Sequence, residues 1–262
     1  MINTNLKIAV IGGGNMGAAI AAGVVSKGIL SADRVTVSHL KAGLALPEGV
    51  HTTRNNIEAV EGAYLVVVAV KPWLLQGVLD ELAPHIDVER VAIVSVVAGV
   101  DFATHGEWLA GAKGVPALLR VIPNTAVSVG CSVTFVAHSG ASDEQLGVVN
   151  QIFGALGVVY NIAEEQMQAA TALASCGIAY ALRYIDAASR AGVDAGIEPR
   201  MALDVVIETV QGALSVLRHS GASPQSEIDR VTTPGGITLR GLEAMEREGF
   251  SAAVAEGIKA SK

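Results

Sequence analysis

Apolar residues in the first part of the chain fall in short, nearly continuous runs, which is typical of strands buried on both faces of a parallel sheet. The predicted strands are Lys7–Ile11, Arg34–Ser38, Tyr64–Val70, Val91–Val97, Leu118–Ile122, Val133–Ala137 and Val158–Ile162. Between the last two, Ser142 and Gln145 have the spacing of a capping box, so we expect a helix through Ala155. These elements predict an α/β domain with a doubly wound sheet over residues 1–162.

From Glu164 onward the apolar residues recur at helical spacing instead. Leu173, Ile178 and Ile185 would lie on one face of a long helix, with Arg183 and Asp186 on the other. Gly192–Pro199 should end that helix, and two more helices are expected over Arg200–His219 and Leu239–Glu248. We therefore expect an all-helical domain over residues 163–262, whose surplus of small apolar side chains suggests an interface between subunits.

A glycine-rich turn joins the first strand to the first helix, expected over Ala18–Lys27. It reads Ile11, Gly12, Gly13, Gly14, Asn15, Met16 and Gly17. Glycine is needed at three of these positions, for the tight turn, for close approach of the backbone to a pyrophosphate, and for close packing of helix on strand. The turn predicts a Rossmann-type dinucleotide site, against the simpler possibility of a structural turn.

The end of the second predicted strand bears on which dinucleotide is bound. An NAD enzyme places Asp or Glu there, on the ribose hydroxyls, whereas this chain has Ser38 followed closely by Lys41. A hydroxyl and an ammonium can bind a 2′-phosphate that a carboxylate would repel. We expect NADP as cofactor, with NADPH preferred over NADH, unless both are ordinary loop residues.

Composition narrows the classes of partner. The net charge is −7 with no basic stripe, which argues against nucleic acid. No apolar run reaches the ~20 residues of a membrane span, and the start does not resemble a signal peptide, so we expect a cytoplasmic protein. The two cysteines are expected to be free thiols, and the six histidines lack the spacing of metal ligands. A small-molecule substrate remains.

A second glycine-rich segment precedes the helix at Leu239. It contains Thr232, Thr233, Pro234, Gly235, Gly236, Ile237 and Thr238. Backbone N–H groups at such a helix start bind anions. We interpret the segment as a pocket for a substrate carboxylate, the alternative being a purely structural turn before the helix.

The chain resembles pyrroline-5-carboxylate reductases over nearly its whole length. The resemblance rests on the Ile11–Gly17 turn, Ala69-Val70-Lys71-Pro72, Arg120 to Thr125, and the Thr232–Thr238 segment. It implies an oxidoreductase that reduces 1-pyrroline-5-carboxylate to L-proline with NAD(P)H, the last step of proline biosynthesis, and a homodimer or higher homo-oligomer. It also implies that the cofactor is lined by the glycine turn, Ser38, Asn56, Ala69, Val70, Lys71, Pro72, Val97, Ala98 and Gly99.

On the substrate side, the resemblance implies contacts from Cys176 and from Thr233 through Thr238. Two departures leave the substrate open. The family's S-G-S-G-P-A-Y appears here as Ala174 to Tyr180 without its proline, and Ile237 replaces Thr or Ala, together with Gly221 where some members place a Glu near the substrate. Another cyclic imine or ketimine is therefore an alternative substrate, and a non-catalytic NADP-binding regulator an alternative function.

Few conventional acid–base groups are needed for the expected reaction, because a protonated imine accepts hydride directly and positioning dominates. Thr238 is the candidate catalytic residue, as a hydroxyl that can hydrogen-bond the ring nitrogen. A β-hydroxyacid dehydrogenase, the nearest competitor, would need a lysine in the second domain, and no lysine lies between Lys113 and Lys259.

Overall fold

The computed structural model describes residues 6–39, 45–110 and 114–262. Eight strands form one sheet in the order β3-β2-β1-β4-β5-β6-β7-β8. Their bounds are β1 Ile8–Ile11, β2 Val35–Ser38, β3 His51–Thr53, β4 Leu65–Val68, β5 Ala92–Ser95, β6 Ala117–Ile122, β7 Ser132–Ser139 and β8 Gly157–Asn161. All neighbouring strands are parallel except β6 and β7, so the predicted doubly wound, Rossmann-type sheet is confirmed.

Helices cover both faces of this sheet. The helices of the first part are α1 Asn15–Ser26, α2 Asn56–Val60, α3 Pro72–Leu82, α4 Phe102–Leu109 and α5 Asp143–Gly154. Within β1, Ile8 and Val10 pack in the core that contains Ile20 of α1 and Phe153 of α5. Ile11 packs instead with α2, α3 and α4 on the opposite face. This alternation explains why β1 and β4 are apolar at every position.

The capping box predicted before α5 is present. Gln145 N–H donates to Ser142 Oγ at 3.2 Å, and Ser142 N–H donates to Gln145 Oε1 at 2.9 Å. The two side chains satisfy N–H groups that the helix start leaves without an internal partner. The local sequence therefore fixes where this helix begins.

The segment after β8 packs on the sheet before the chain enters the helical part. It consists of a 3₁₀ turn at Glu164–Gln166, α6 Met167–Ala170 and a π-helical turn at Thr171–Cys176. Met167 is buried against Ile122 and Ala137 of the sheet. Contacts accordingly divide the chain into Met1–Ser175 and Cys176–Lys262, a later division than the sequence-based boundary after residue 162.

The second unit contains only helices in the residues that the structure describes: α7 Gly177–Asp194, α8 Pro199–Ser220, α9 Pro224–Val231, α10 Ile237–Arg247 and α11 Phe250–Lys259. The prediction of a helical C-terminal part is confirmed. Gly192 of α7 lies against Ala202 of α8, and the Tyr180 hydroxyl donates to the Gly257 carbonyl at 3.0 Å, joining α7 to α11. Within the described ranges, no helix is long and apolar enough to cross a membrane.

Candidate active site

The glycine turn after β1 has the close packing that the sequence predicts. Gly12 has a φ of 104°, and a Cβ built on it would lie 2.6 Å from the Ala69 carbonyl oxygen. A Cβ on Gly17 would lie 2.0 Å from the Gly12 carbonyl oxygen. Both positions exclude a side chain, because the turn must fit between α1 and the end of β4.

Gly14 differs from these two glycines because a Cβ there would meet no atom within 4 Å. Gly14 is the N-cap residue of α1, and no side chain caps this helix start. Asn15, Met16 and Gly17 form its first turn, while Gly13 precedes the cap. Open space beside N–H groups that lack a side-chain cap fits a pyrophosphate at the helix N-terminus.

Ser38 ends β2 beside this turn. Gly12 N–H donates to the Ser38 carbonyl at 2.9 Å. The buried Ser38 hydroxyl donates to Asn56 Oδ1 at 2.6 Å, and Asn56 Nδ2 donates to Glu81 Oε2 at 2.8 Å. Two predicted cofactor residues, Ser38 and Asn56, are thus brought together. Lys41, the predicted ammonium, lies outside the described residues.

The ends of β4 and β5 complete the edge of the sheet at which the predicted cofactor residues lie. Ala69 N–H donates to the Ile11 carbonyl at 2.8 Å, which places the Ala69-Val70-Lys71 connection beside the glycine turn. Pro72 then opens α3. Val97, Ala98 and Gly99 follow β5, the neighbour of β4, and Gly99 has a φ of 85°. Carboxyl ends of parallel strands form the ligand crevice in folds of this kind.

The hydroxyl-rich segment lies in the second unit, between α9 and α10. Thr233 to Gly236 form a turn in which Gly236 N–H donates to the Thr233 carbonyl at 2.8 Å, with Gly235 at a φ of 71°. Gly236 is the N-cap of α10, and no side chain caps this helix. Ile237 and Thr238 form the first turn, and the Ile237 side chain is 79% exposed. This arrangement can bind an anion through backbone N–H groups.

Thr238 and Cys176 are the remaining predicted substrate residues. Thr238 is exposed, and its hydroxyl has no hydrogen-bond partner among the residues that the structure describes, so it is available to a ligand. Cys176 ends the π-helical turn before α7 and is half-buried, on a different element from the Thr233–Thr238 segment.

Behind the end of β6, a charged cluster ties the sheet to the segment that leads into the second unit. Arg120 Nη1 donates to Glu164 Oε1 at 2.7 Å, and Phe102 N–H donates to the same oxygen at 2.7 Å. His105 of α4 is buried, and its Nδ1 lies 2.7 Å from the Asp101 carbonyl oxygen. Burial lowers the pKa of His105 below its ordinary value of 6.5, and the nearby Arg120 charge acts in the same direction.

Sequence reasoning missed Glu81 as a partner of the predicted cofactor residues Ser38 and Asn56. It lies on an exposed position of α3, 25 residues from Asn56. Nothing in the local sequence distinguishes it from the other surface carboxylates, and only the packing of α2 beside α3 brings it to Asn56.

Comparison with known proteins decides the family. Residues 164–262 match the family model for pyrroline-5-carboxylate reductase dimerisation, and residues 7–99 match the model described as NADP oxidoreductase, coenzyme F420-dependent. Pyrroline-5-carboxylate reductase 2 of Dictyostelium discoideum is 33% identical over 98% of this chain and 93% of its own length. The chain belongs to the pyrroline-5-carboxylate reductase family.

Two further members show the extent of the likeness. Pyrroline-5-carboxylate reductase 1 of Dictyostelium discoideum is 36% identical over 97% of this chain, which spans only 48% of that longer protein. The crystal structure of Plasmodium falciparum pyrroline carboxylate reductase with NADP bound matches with a TM-score of 0.91 at 26% identity, covering 98% of this chain and 96% of that one. The family resemblance expected from the sequence motifs is therefore confirmed over both units.

Proposed function

We propose that the chain reduces 1-pyrroline-5-carboxylate to L-proline by hydride transfer from NADPH. The observation that carries the proposal is the Thr233–Thr238 segment, where a glycine turn leads into a helix start without a side-chain cap. In a family member that also has an open dinucleotide turn at Gly12–Gly17, this segment supplies the anion site that a cyclic imine carboxylate requires.

The substrate carboxylate would be bound by the N–H groups at the start of α10, favoured by the partial positive charge of the helix N-terminus. Thr238 follows the N-cap by two residues and would accept a hydrogen bond from the protonated ring nitrogen. When bound, NADPH supplies the hydride that adds to the imine carbon. Because the nitrogen already carries its proton, no further acid is needed, and these residues act by orienting the ring.

The cofactor would be bound at the carboxyl ends of β1, β2, β4 and β5. Gly14 leaves room for the pyrophosphate, and the amides at the start of α1 would donate to it. Preference for NADPH over NADH is supported by Ser38 in place of an acidic residue at the end of β2, with Lys41 nearby in sequence. Cytoplasmic localisation stays a prediction from the sequence.

We infer further that the protein is a homodimer formed through its helical unit. In the part of the chain that the structure describes, Ala202 is the one residue of α7 to α11 that is fully buried. Leu182, Met201 and Leu214 are all more than half exposed. Helices with so much exposed apolar surface require a partner, and a second copy supplies a matching surface.

Steady-state oxidation of NADPH with a panel of imines tests the proposed activity. The panel consists of 1-pyrroline-5-carboxylate, 1-pyrroline-2-carboxylate and piperideine carboxylates, each at near-neutral pH. The proposal predicts the highest kcat/KM with 1-pyrroline-5-carboxylate. A higher kcat/KM with another imine would assign a different substrate. If the protein bound NADPH but oxidised it with none of the imines, the protein would instead be a regulator.

A different cyclic imine is the second candidate, because the segment departs from the family at Ile237. This side chain is apolar, 79% exposed, and adjacent to Thr238. It would add apolar surface beside the proposed carboxylate site and favour a larger ring. The comparison of five- and six-membered rings in the same panel separates the two candidates.

A further inference from the structure

A chain of hydrogen bonds links the end of β2 to the surface of α3. The Ser38 hydroxyl donates to Asn56 Oδ1 at 2.6 Å, and the Asn56 amide donates to Glu81 Oε2 at 2.8 Å. Ser38 is 3% exposed, whereas Glu81 is an exposed carboxylate. The buried hydroxyl expected to meet the adenosine ribose is therefore connected to a surface charge.

Glu81 determines the direction of these two hydrogen bonds. An ionised carboxylate only accepts hydrogen bonds, so the NH₂ group of Asn56 must face Glu81 and its carbonyl oxygen must face Ser38. That oxygen takes the single hydroxyl proton of Ser38. Toward any other partner, Ser38 Oγ can therefore only accept a hydrogen bond.

NADH and NADPH require opposite hydrogen-bonding roles of such a hydroxyl. The ribose 2′-OH of NADH can donate to Ser38 Oγ. The 2′-phosphate of NADPH offers mainly acceptor oxygens near neutral pH, so it requires Ser38 to donate. Ser38 can donate to the phosphate only if its hydroxyl turns away from Asn56 Oδ1, and that oxygen then loses its hydrogen bond.

We propose that Glu81 is a positioning residue that sets cofactor preference: by orienting Asn56 it makes Ser38 an acceptor and reduces the preference for NADPH over NADH. Its negative charge acts in the same direction but adds little, because Glu81 is exposed and solvent screens the field of an exposed carboxylate. The proposal rests on the proposed function for the identity of the cofactor, and it assigns to Glu81 a role that acts through Asn56 and Ser38.

Nucleotide affinity, measured without any imine, tests the proposal. Dissociation constants for NADPH and NADH are obtained from the change in nicotinamide fluorescence on binding. Glu81→Gln removes the charge and lets the Asn56 amide turn, and Glu81→Met removes the acceptor altogether. Both variants should raise the ratio Kd(NADH)/Kd(NADPH) by about fivefold, mainly through tighter NADPH binding, as expected for the net gain of one hydrogen bond from Ser38 to the phosphate.

Asp80→Asn is the matched control, since it removes the same charge from the preceding exposed residue of α3. Asp80 makes no hydrogen bond or ion pair within the described ranges, and the ratio should stay within twofold of the wild-type value. Thermal unfolding of each variant without nucleotide checks that the fold is retained.

The Ser38→Ala background separates positioning from simple charge repulsion. With no hydroxyl to orient, adding Glu81→Gln should change the ratio less than twofold. The proposal is overturned by an unchanged ratio in both Glu81 variants, by an equal shift in Asp80→Asn, or by a full shift that persists with Ser38→Ala. Failure to reduce any imine while nucleotides still bind would count against the proposed function alone.

Discussion

Two glycines of one turn have different physical reasons to be glycine. Gly17 excludes a side chain because a Cβ would overlap the Gly12 carbonyl, whereas a Cβ on Gly14 would meet only open space. The protein itself therefore requires Gly17, and only a ligand would require Gly14. This contrast separates stability from cofactor binding at single residues.

Exchange for alanine should expose that contrast. Gly14 has a φ of −72°, which alanine adopts readily, so Gly14→Ala should leave the melting temperature of the nucleotide-free protein nearly unchanged. Its methyl group should nevertheless weaken NADPH binding about tenfold or more by separating the backbone from the pyrophosphate. Gly17→Ala should lower the melting temperature clearly. A Gly14→Ala variant that binds NADPH normally would refute the assignment of the turn.

Thr238 is the second residue with a specific expected effect. Thr238→Ala should reduce kcat with 1-pyrroline-5-carboxylate about tenfold, the value of one hydrogen bond to a charged group, with little change in the Kd for NADPH. Thr238→Ser keeps the hydroxyl and should retain most of the turnover. Equal kcat values for the alanine variant and the wild type would remove Thr238 from the mechanism.

At the scale of elements, α4 carries a buried titratable group that links stability to pH. His105 donates through Nδ1 to the Asp101 carbonyl, and its buried Nε2 has no hydrogen-bond partner in the part of the chain that is described. Burial, the main cause, lowers the pKa of His105 in the folded protein, although Asp101 and Glu164 act against it. The unfolded chain therefore takes up a proton more readily than the folded protein.

The sign of the effect follows directly. Above pH 6.5 the ring is neutral in both states and its contribution to stability is complete; below that value the unfolded state binds the proton and stability falls. The slope from this group is at most about 1.4 kcal/mol per pH unit. Urea unfolding between pH 7.5 and 5.5 should show a shallower loss for His105→Asn than for the wild type, while the exposed-site control His85→Gln keeps the wild-type slope. Parallel profiles for all three would contradict this account.

Prediction from sequence succeeded where an element buries an uninterrupted apolar run. Seven of the eight described strands, the α5 capping box and the α8 helix follow from local pattern alone. β3 was not predicted, because His51-Thr52-Thr53 is short and polar and becomes a strand only by pairing with β2 at the sheet edge. α9 and α11 were also missed, because Pro224 begins one and Gly249 and Gly257 weaken the helical pattern of the other.

The candidate site likewise has parts that local sequence predicts and parts that it does not. Backbone sites at Gly12–Gly17 and Thr233–Gly236 are encoded by consecutive residues, so their glycine patterns identify them. The pairing of Asn56 with Glu81 depends on how two helices pack, which local sequence does not contain. The π-helical turn Thr171–Cys176 likewise interrupts what the periodicity predicted as one helix.

At the scale of the whole molecule, the helical unit exposes large apolar side chains that the proposed second copy would cover. Leu182 and Leu203 line a groove between α7 and α8, and Met201 of α8 is 58% exposed. Leu203→Glu should place a charge in the proposed subunit interface and shift the protein from dimer to monomer or to aggregates, as measured by sedimentation velocity. The exposed-surface control Glu243→Gln should remain dimeric. A wild-type monomer at micromolar concentration would contradict the proposed dimer.

The transfer of hydride to a cyclic imine is the central claim, and isotope transfer tests it most directly. The protein is incubated with 1-pyrroline-5-carboxylate and NADPH carrying deuterium on both C4 positions, and the amino acid formed is analysed by mass spectrometry and NMR. The account predicts L-proline with one deuterium at C5 and stoichiometric formation of NADP⁺. Proline without deuterium, or no proline while NADPH remains bound and unoxidised, would contradict it.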